Sequence, residues 1–336
     1  MTIWLTGATG FIGRRLARKV AKAFPEAEIH ALVRASVDNE LERSGREVLA
    51  QLPLHLHEVD LLLGTGLSSL PPAPRLLFHL ASCTEMLESD HSINDVGTRN
   101  LLEAIGPVPG MHLIYASSIA SLDLRDDYSR PVDESTPFPA RTCNEYGRSK
   151  LRTLAYLKKM SREQGFHLST MRVTGVYGEN TRPTGLYDMV GRLCRRRSLL
   201  TRINWPGKVS MIYVDDIAEL FVRLAQRPDP ESYLELIPSV ENYSLYEMCQ
   251  LTYAAMQVPQ PLPLYLPKWF WRLCRQAALR KGILERALPH RLYTRFWQLF
   301  VLCNHEFWNE SLLLSQFSQG LRFKTFHEFT QERYGP

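Results

Sequence analysis

Paired cysteines, long apolar runs and a strong charge of either sign are all missing from this chain of 336 residues. Its six cysteines are scattered without a C-x-x-C pair, which argues against a zinc site or a disulfide framework and favours a reducing compartment. The net charge of +5 is too mild to indicate a nucleic-acid-binding protein. No apolar run reaches the length of about eighteen residues that a transmembrane helix needs. Because the first residues, "MTIWLTGATG", read directly as a strand and a turn, we expect no signal peptide and a cytoplasmic protein.

Apolar runs alternate with amphipathic stretches along the first half of the chain. Strands are predicted over 2–6, 28–34, 54–61, 75–82, 111–118 and 167–173, and helices over 10–24, 95–105 and 143–164. Such alternation implies βαβ units with right-handed crossovers and a parallel sheet. We therefore predict an α/β fold with a doubly wound parallel sheet of the Rossmann type in residues 1–174.

The pattern becomes mixed in residues 175–336. Here we predict strands over 208–216 and 232–237, and helices over 185–197, 217–226 and 244–256, the last with Ser244 as its N-cap. The segment 208–237 is expected to return partly to the core. The remainder is predicted to form a smaller, mostly helical C-terminal lobe, entered through the proline-rich "VPQPLPLYLP" (258–267).

Three glycines with the spacing G-x-x-G-x-x-G lie between the first predicted strand and the first predicted helix. Glycines at this position permit a tight turn and close approach of a pyrophosphate, and the free N–H groups of the helix N-terminus bind the phosphates. The motif therefore predicts dinucleotide binding. The predicted cofactor-binding residues of this turn are Gly7, Thr9, Gly10, Phe11, Ile12 and Gly13.

The ends of the second and third strands indicate which dinucleotide is bound. A carboxylate after the second strand would bind the ribose 2′-hydroxyl of NAD, whereas an arginine would bind the 2′-phosphate of NADP. The strand ends in "LVR" without a carboxylate, so Arg34 predicts a preference for NADP(H), with NAD(H) open as the second choice. The alternative is that Arg34 is a solvated charge. Asp60, followed by Leu61, is predicted either to receive an adenine amino hydrogen or to cap a turn.

A tyrosine and a lysine lie one helical turn apart in "NEYGRSK" (144–150), after a strand that ends in two serines. Open α/β sheets bind ligands beyond the carboxyl ends of their strands, so these groups can converge near a bound nicotinamide. A serine would hydrogen-bond the substrate oxygen, and Tyr146 would exchange a proton with it. Lys150 would lower the tyrosine pKa and hold the nicotinamide ribose, while hydride moves between nicotinamide and carbon.

The chain resembles the extended short-chain dehydrogenase/reductases of the NAD-dependent epimerase/dehydratase superfamily, in particular the hydroxysteroid-dehydrogenase-like branch. The matching segments are "TGATGFIG" (6–13), "HLAS" (79–82), "NDVGTRNLLEA" (94–104), "YASS" (115–118), "YGRSK" (146–150), "RVTGVYGE" (172–179) and "YVDDIA" (213–218). The resemblance implies that Ser118, with Ser117 as the second choice, acts with Tyr146 and Lys150 in catalysis.

The same resemblance extends to cofactor, substrate and assembly. It implies that Ala81 and Ser82 line the cofactor and that Val173 belongs to the segment that contacts nicotinamide and substrate. It also implies a homodimer built through the helices near 95–105 and 143–164.

Departures from the family pattern indicate the type of reaction. Dehydratases of this family carry an acidic pair after the catalytic hydroxyl residue, but Ile119 and Ala120 stand there, which disfavours dehydration. Many sugar-nucleotide enzymes have an asparagine where Thr174 and Gly175 stand. Together with Arg34, these departures predict an NADP(H)-dependent carbonyl reductase acting on a ketone, an aldehyde or an acyl thioester. The alternative is an NAD-retaining nucleotide-sugar epimerase, and a cofactor-sensing regulatory protein is a further class that the tyrosine–lysine pair disfavours.

The C-terminal segment 267–300 interleaves aromatic residues with arginine and lysine. The aromatic residues are Trp269, Phe270, Trp271, Phe296, Trp297 and Phe300. They predict a lid over an apolar or carrier-linked substrate or a helix in peripheral contact with a membrane surface, and the alternative is that they pack the core of the lobe. The expected partners are thus a small-molecule substrate and a second copy of the chain, with no metal and no nucleic acid.

Overall fold

A computed structural model describes residues 1–35, 40–84, 90–122, 131–138, 145–179, 186–227, 232–279, 287–289, 292 and 309–335. The strands are β1 (Thr2–Thr6), β2 (Glu28–Val33), β3 (His55–Glu58), β4 (Leu76–His79), β5 (His112–Ser118), β6 (His167–Val173), β7 (Gly175–Tyr177), β8 (Lys208–Tyr213), β9 (Tyr233–Leu236) and β10 (Glu241–Ser244). The α-helices are α1 (Gly13–Ala23), α2 (Glu40–Leu49), α3 (Ser92–Ile105), α4 (Glu145–Gln164), α5 (Leu186–Arg195), α6 (Val214–Ala225), α7 (Leu245–Ala255), α8 (Lys268–Leu279), α9 (Leu314–Phe317) and α10 (Phe326–Tyr334). Within these ranges, no helix is both long and apolar enough to cross a bilayer.

Seven strands form one parallel sheet in the order β3-β2-β1-β4-β5-β6-β9. The chain moves outward from β1 to β3 and then returns to place β4 on the other side of β1. The strand order therefore reverses between β1 and β4, and open α/β sheets bind their ligands at such a switch point. This topology confirms the predicted α/β class with a doubly wound parallel sheet.

Helices cover both faces of this sheet, which is why its strands are apolar on both sides. Along β1 the side chains alternate, so Leu5 faces the core under α1 and α6, and Trp4 faces the core under α3 and α4. The first core includes Ile3, Leu16, Val20, Ile114, Met171 and Phe221. The second includes Leu77, Leu101, Tyr115, Leu154, Leu157 and Leu168.

A second, three-stranded sheet has the order β10-β8-β7, with β7 parallel and β10 antiparallel to β8. It packs with α5, α7 and α10 around a third core that includes Tyr177, Trp205, Met248, Tyr253 and Phe329. The sequence did not predict β7 or β10, because both are short and β10 is largely polar. Ser244 caps α7 as predicted and forms a capping box with Glu247. The strand predicted to Asp216 ends instead at Tyr213, where α6 begins.

Candidate active site

The turn between β1 and α1 requires glycine at two positions. Gly7 has a φ of +68°, and a Cβ there would lie 2.7 Å from the backbone nitrogen of Ala81. A Cβ on Gly13 would lie 2.0 Å from the carbonyl oxygen of Gly7. The start of α1 can therefore lie this close to the turn only if residue 13 has no side chain. The first turn of α1 carries no acidic residue and no side-chain cap, so no side chain there opposes an anion at the helix N-terminus. The turn therefore fits the pyrophosphate that the motif predicts.

A further glycine supports this turn from α2. A Cβ on Gly45 would lie 2.2 Å from the carbonyl oxygen of Thr9, so α2 packs directly against the backbone of the turn. This contact was not predicted from the sequence. The available signal was a glycine within an otherwise polar helix, which is costly unless close packing requires it.

The end of β2 carries a cation and a carboxylate together. The guanidinium of Arg34 is ion-paired with Glu42 of α2, and Arg46 donates a hydrogen bond to the backbone oxygen of Arg34. Arg46 is also 3.2 Å from a carboxylate oxygen of Glu58. The Arg34 side chain is 56% exposed, whereas that of Glu42 is 18% exposed. The sequence showed no carboxylate in the strand itself, and the structure brings one there from α2.

Asp60 stabilises the loop after β3. Its Oδ1 accepts hydrogen bonds from the backbone N–H groups of Leu62 at 2.8 Å and Leu63 at 3.0 Å. Asp60 thus caps a turn, which was one of its two predicted roles. Leu61 is buried, and its carbonyl accepts a hydrogen bond from Asn100 at 2.8 Å. Contact of Asp60 with adenine stays a prediction.

His79 occupies the centre of a buried hydrogen-bonded chain beside the turn. The Thr98 hydroxyl donates to the Asn94 carbonyl, so it accepts from His79 Nε2–H at 2.8 Å. The Thr6 hydroxyl accepts the N–H of Ala81 and donates to His79 Nδ1, also at 2.8 Å. Both ring nitrogens are thereby satisfied by a neutral imidazole. Burial and nearby Lys150 lower the His79 pKa to about 3, so this residue is structural.

Asn94 connects the predicted cofactor-lining segment with the helix that carries the tyrosine. Its Oδ1 accepts the Ser82 hydroxyl at 2.9 Å and the Cys83 N–H at 2.8 Å. Its Nδ2 donates to the Ser149 hydroxyl at 2.8 Å and to the Cys83 carbonyl at 3.2 Å. Ser149 in turn donates to the carbonyl of Tyr146 at 2.8 Å. One buried amide thus fixes α3, the segment after β4 and the first turn of α4.

Ser118, Tyr146 and Lys150 meet at the carboxyl end of β5. The Ser118 hydroxyl accepts the N–H of Ala120 at 3.1 Å and lies beside the Tyr146 phenol. The Lys150 ammonium donates to the carbonyl of Ala116 at 2.8 Å and lies 5.9 Å from the centre of the Tyr146 ring. All three side chains are buried. The structure therefore brings the predicted triad together.

The acid–base properties of this triad are dominated by burial. Burial raises the pKa of Tyr146 to about 12, and the neighbouring Ser118 hydroxyl acts in the opposite direction. Burial lowers the pKa of Lys150 to about 7, so its amine is only partly charged near neutral pH. A partly neutral amine stabilises a phenolate weakly, and the Tyr146 pKa accordingly lies above its ordinary value rather than below it.

Two further polar side chains near the triad differ in their contacts. The hydroxyl of Ser117, the second-choice serine, is buried and has no hydrogen-bond partner among the residues that the structure describes. His91 is 2% exposed, and its ring centre lies 5.6 Å from that of Tyr146. His91 Nδ1 donates to the carbonyl of Cys83 at 3.3 Å, since a carbonyl can only accept. His91 was not predicted from the sequence, because its contact with Tyr146 joins residues 55 positions apart in the chain.

The segment after β6 is attached to the glycine turn. Arg15 donates to the carbonyl of Glu179 at 2.8 Å, and its guanidinium lies 5.1 Å from the centre of the Phe11 ring. The Tyr213 hydroxyl donates to Glu179 Oε2 at 2.7 Å. Val173 and Ile12 are partly buried against the core under α1. The residues predicted to contact the pyrophosphate and the nicotinamide are thus parts of one packed unit. No cluster of three or more metal-ligating side chains is found in the described ranges.

This fold and this site define a dinucleotide-binding α/β protein of the Rossmann type. The NAD dependent epimerase/dehydratase family model matches residues 3–234, and the chain belongs to that family. An uncharacterized 37.6 kDa protein in the cld 5′ region of Escherichia coli O111:H- is 26% identical over 233 residues, which is 67% of this chain and 69% of that protein. The hybrid PKS-NRPS synthetase pydA of Acremonium sp is 23% identical over 246 residues, which is 68% of this chain but 6% of that synthetase.

Solved structures share the fold over nearly the whole chain. The UDP-glucuronic acid 4-epimerase from Bacillus cereus, in complex with UDP-glucuronic acid and NAD, superposes with a TM-score of 0.73 at 17% identity, covering 99% of this chain and 98% of that one. The crystal structure of gox2253 gives a TM-score of 0.74 at 22% identity, covering 99% and 97%. At these identities the comparison establishes the shared fold.

Proposed function

We propose that the chain is an NAD-dependent enzyme that moves a hydride between nicotinamide and the carbon that carries a substrate hydroxyl or carbonyl oxygen. The observation that carries this proposal is the meeting of Ser118, Tyr146 and Lys150 at the carboxyl end of β5, beside the switch point of the sheet. A hydroxyl, a phenol and an amine close together can form a proton-exchange site. The glycine turn on the neighbouring strand supplies the dinucleotide site.

The side chains have separate roles in this proposal. The turn from Gly7 to Gly13 and the N-terminus of α1 would hold the pyrophosphate, and Lys150 would bind ribose hydroxyls. The nicotinamide supplies the hydride acceptor or donor when it is bound. Ser118 orients the substrate oxygen, and Tyr146 accepts its proton during oxidation and returns it during reduction.

We propose NAD as the cofactor rather than NADP. Glu42 is ion-paired with Arg34 at the end of β2, where the adenosine ribose of such a cofactor would lie. A carboxylate there can accept the ribose 2′-hydroxyl and repels a 2′-phosphate. The named structural neighbours support the same choice, since the Bacillus cereus epimerase was solved with NAD.

The reaction that we propose is epimerisation of a nucleotide sugar with retained NAD, which was the alternative at the sequence level. In such a reaction the carbon is oxidised and then reduced from its other face, so hydride and proton return to the same substrate and no net redox change occurs. Support comes from the family and from neighbours named as UDP-glucuronic acid and UDP-galactose 4-epimerases.

A specific observation favours the carbonyl reductase as the second candidate. The Thr174 hydroxyl donates to the carbonyl of Pro238 at 2.8 Å, and a Cβ on Gly175 would lie 2.6 Å from the Tyr187 hydroxyl. Neither residue has a side-chain amide that could bind a nucleotide diphosphate, as the asparagine of many sugar-nucleotide enzymes would. In this reading an exchanging NADH or NADPH would reduce a ketone, an aldehyde or an acyl thioester.

One experiment separates the two candidates. Nucleotide released from acid-denatured protein is identified by chromatography, and the intact protein is incubated without added cofactor with a panel of UDP-sugars. We expect stoichiometric NAD and interconversion of one pair of epimers. A Tyr146→Phe variant should still hold NAD but should lose the interconversion. Protein that holds no nucleotide, epimerises nothing and oxidises NADPH with a carbonyl compound would establish the reductase instead.

A further inference from the structure

Large apolar side chains are exposed on α8, on the segment 262–265 that leads into it and at Leu199. This α8 surface comprises Leu199 (68% exposed), Leu262 (78%), Tyr265 (74%), Trp269 (63%) and Leu273 (58%). Its two segments are joined, because Leu264 N–H donates to the carbonyl of Arg202 at 2.6 Å and Arg202 Nε donates to that of Leu262 at 2.9 Å. Single exposed apolar side chains are ordinary, but a group of them marks a binding surface.

The helix α8 presents these side chains with helical spacing. Trp271 is buried, with its ring centre 5.2 Å from that of Trp205, and it attaches the inner side of the helix to the lobe. Trp269 and Leu273 are four residues apart, as are Lys268 and Arg272, and all four are exposed. An apolar pair and a cationic pair therefore lie side by side on the outer face. The aromatic residues are thus divided between the core of the lobe and its surface, and Phe296, Trp297 and Phe300 lie outside the described residues.

The segments that form the α8 surface carry basic residues and no acidic ones. The segments 189–214 and 248–284, which supply the whole surface, contain no aspartate or glutamate. Arg195, Arg196 and Arg197 are exposed beside Leu199, and Lys268 and Arg272 are exposed on α8. A partner for this surface must accept both apolar side chains and cations.

An anionic lipid bilayer meets both requirements. Its headgroup region attracts arginine and lysine, and the adjoining acyl boundary takes up leucine, tryptophan and tyrosine side chains. Nucleic acid would satisfy the cations and leave Leu262, Trp269 and Leu273 in water. We propose that the α8 surface binds the headgroup region of anionic phospholipid membranes and so holds this enzyme at a membrane surface. The proposal is independent of the reaction that the active site performs.

Vesicle flotation tests this proposal with the full chain. The probes are vesicles of phosphatidylglycerol mixed with phosphatidylcholine and vesicles of phosphatidylcholine alone. We expect flotation with the anionic vesicles, much less with the neutral ones, and its loss at about 1 M salt, where the screening length is about 3 Å. A chain that stays at the bottom of the gradient with anionic vesicles would overturn the proposal.

Matched variants locate the contact. Replacing Lys268 and Arg272 by glutamine removes two charges, which is expected to weaken binding to anionic vesicles about tenfold or more. Replacing Trp269 and Leu273 by serine should weaken it comparably, whereas Leu63→Ser, which changes a leucine that is 74% exposed outside this surface, should not. Because all these side chains are exposed, thermal unfolding should be unchanged in every variant. Equal flotation of all variants, or a dimer that the α8 variants dissociate in protein that does not float, would contradict the lipid assignment.

Discussion

At the scale of single residues, Tyr146 is a buried phenol whose pKa is raised to about 12 by its surroundings. Its phenolate fraction therefore grows with pH throughout the neutral and mildly alkaline range, and alcohol oxidation should become faster as pH rises.

Tyr146→Phe removes the proton carrier and is expected to lower kcat by about 10² to 10⁴ while bound nucleotide stays unchanged. Steady-state rates and nucleotide content measured on the same preparations test this. A Phe variant with the parent's rate would exclude Tyr146 as the proton carrier.

The pair of Arg34 and Glu42 yields a second prediction at this scale. Glu42→Gln removes the carboxylate that neutralises Arg34, so the guanidinium becomes available to a 2′-phosphate. The ratio of the Kd for NADPH to that for NADH should fall by about tenfold or more, corresponding to about 1.4 kcal/mol. Arg34→Gln is the matched control and should shift the ratio the other way or not at all. Fluorescence titration measures both constants, and an unchanged ratio in Glu42→Gln would count against this account of cofactor choice.

The site residues that could be predicted from the sequence are those that belong to short motifs. Gly7, Gly10, Gly13, Tyr146 and Lys150 stand in short spacings that carry a mechanism, and the structure brings them to one edge of the sheet. The other contributors have partners that only the fold brings near. Such residues are Glu42, Gly45, His91 and Asn94.

At the scale of elements, Asn94 holds α3, α4 and the segment after β4 together through one amide. Asn94→Leu leaves the polar groups of half-buried Ser82 and Cys83 and of buried Ser149 without this partner, which should lower the free energy of unfolding by about 2 kcal/mol or more. Asn94→Asp keeps the acceptor and loses both donors, so it should fall between the two. Urea unfolding gives these differences. A leucine variant as stable as the parent would show that the clamp is dispensable.

Strands that are buried on both faces could be predicted from the sequence, whereas short strands at the second sheet could not. Strands β1, β2, β4, β5 and β6 are apolar because helices cover both faces of the sheet, and the sequence located each of them. The short strands β7 and β10 form only through pairing with β8, which the local sequence does not encode.

At the scale of the whole molecule, acid stability depends on histidines that fold in the neutral form. Burial lowers the pKa of His79 to about 3 and that of His112 to about 4, both below the ordinary value near 6.5. Between the folded and ordinary pKa values, each of these histidines binds more protons in the unfolded chain than in the folded one. Their contribution to stability is therefore full above about pH 6.5 and is lost as pH falls. Asp216 acts in the opposite direction, because burial raises its pKa to about 6.

A variant of His112 isolates one contribution from this sum. His112 Nε2 lies 2.8 Å from the Ser169 hydroxyl, and His112→Gln keeps a hydrogen-bonding side chain while removing the titration. Between pH 7.5 and pH 5, the parent should lose about 1 to 2 kcal/mol more stability than the variant. Urea unfolding of both proteins at the two pH values gives this double difference, in which Asp216 and Lys150 cancel because both proteins contain them. If the free energy of unfolding changes equally with pH in both proteins, folding does not lower the pKa of His112. The acid sensitivity would then arise from His79 and the remaining groups.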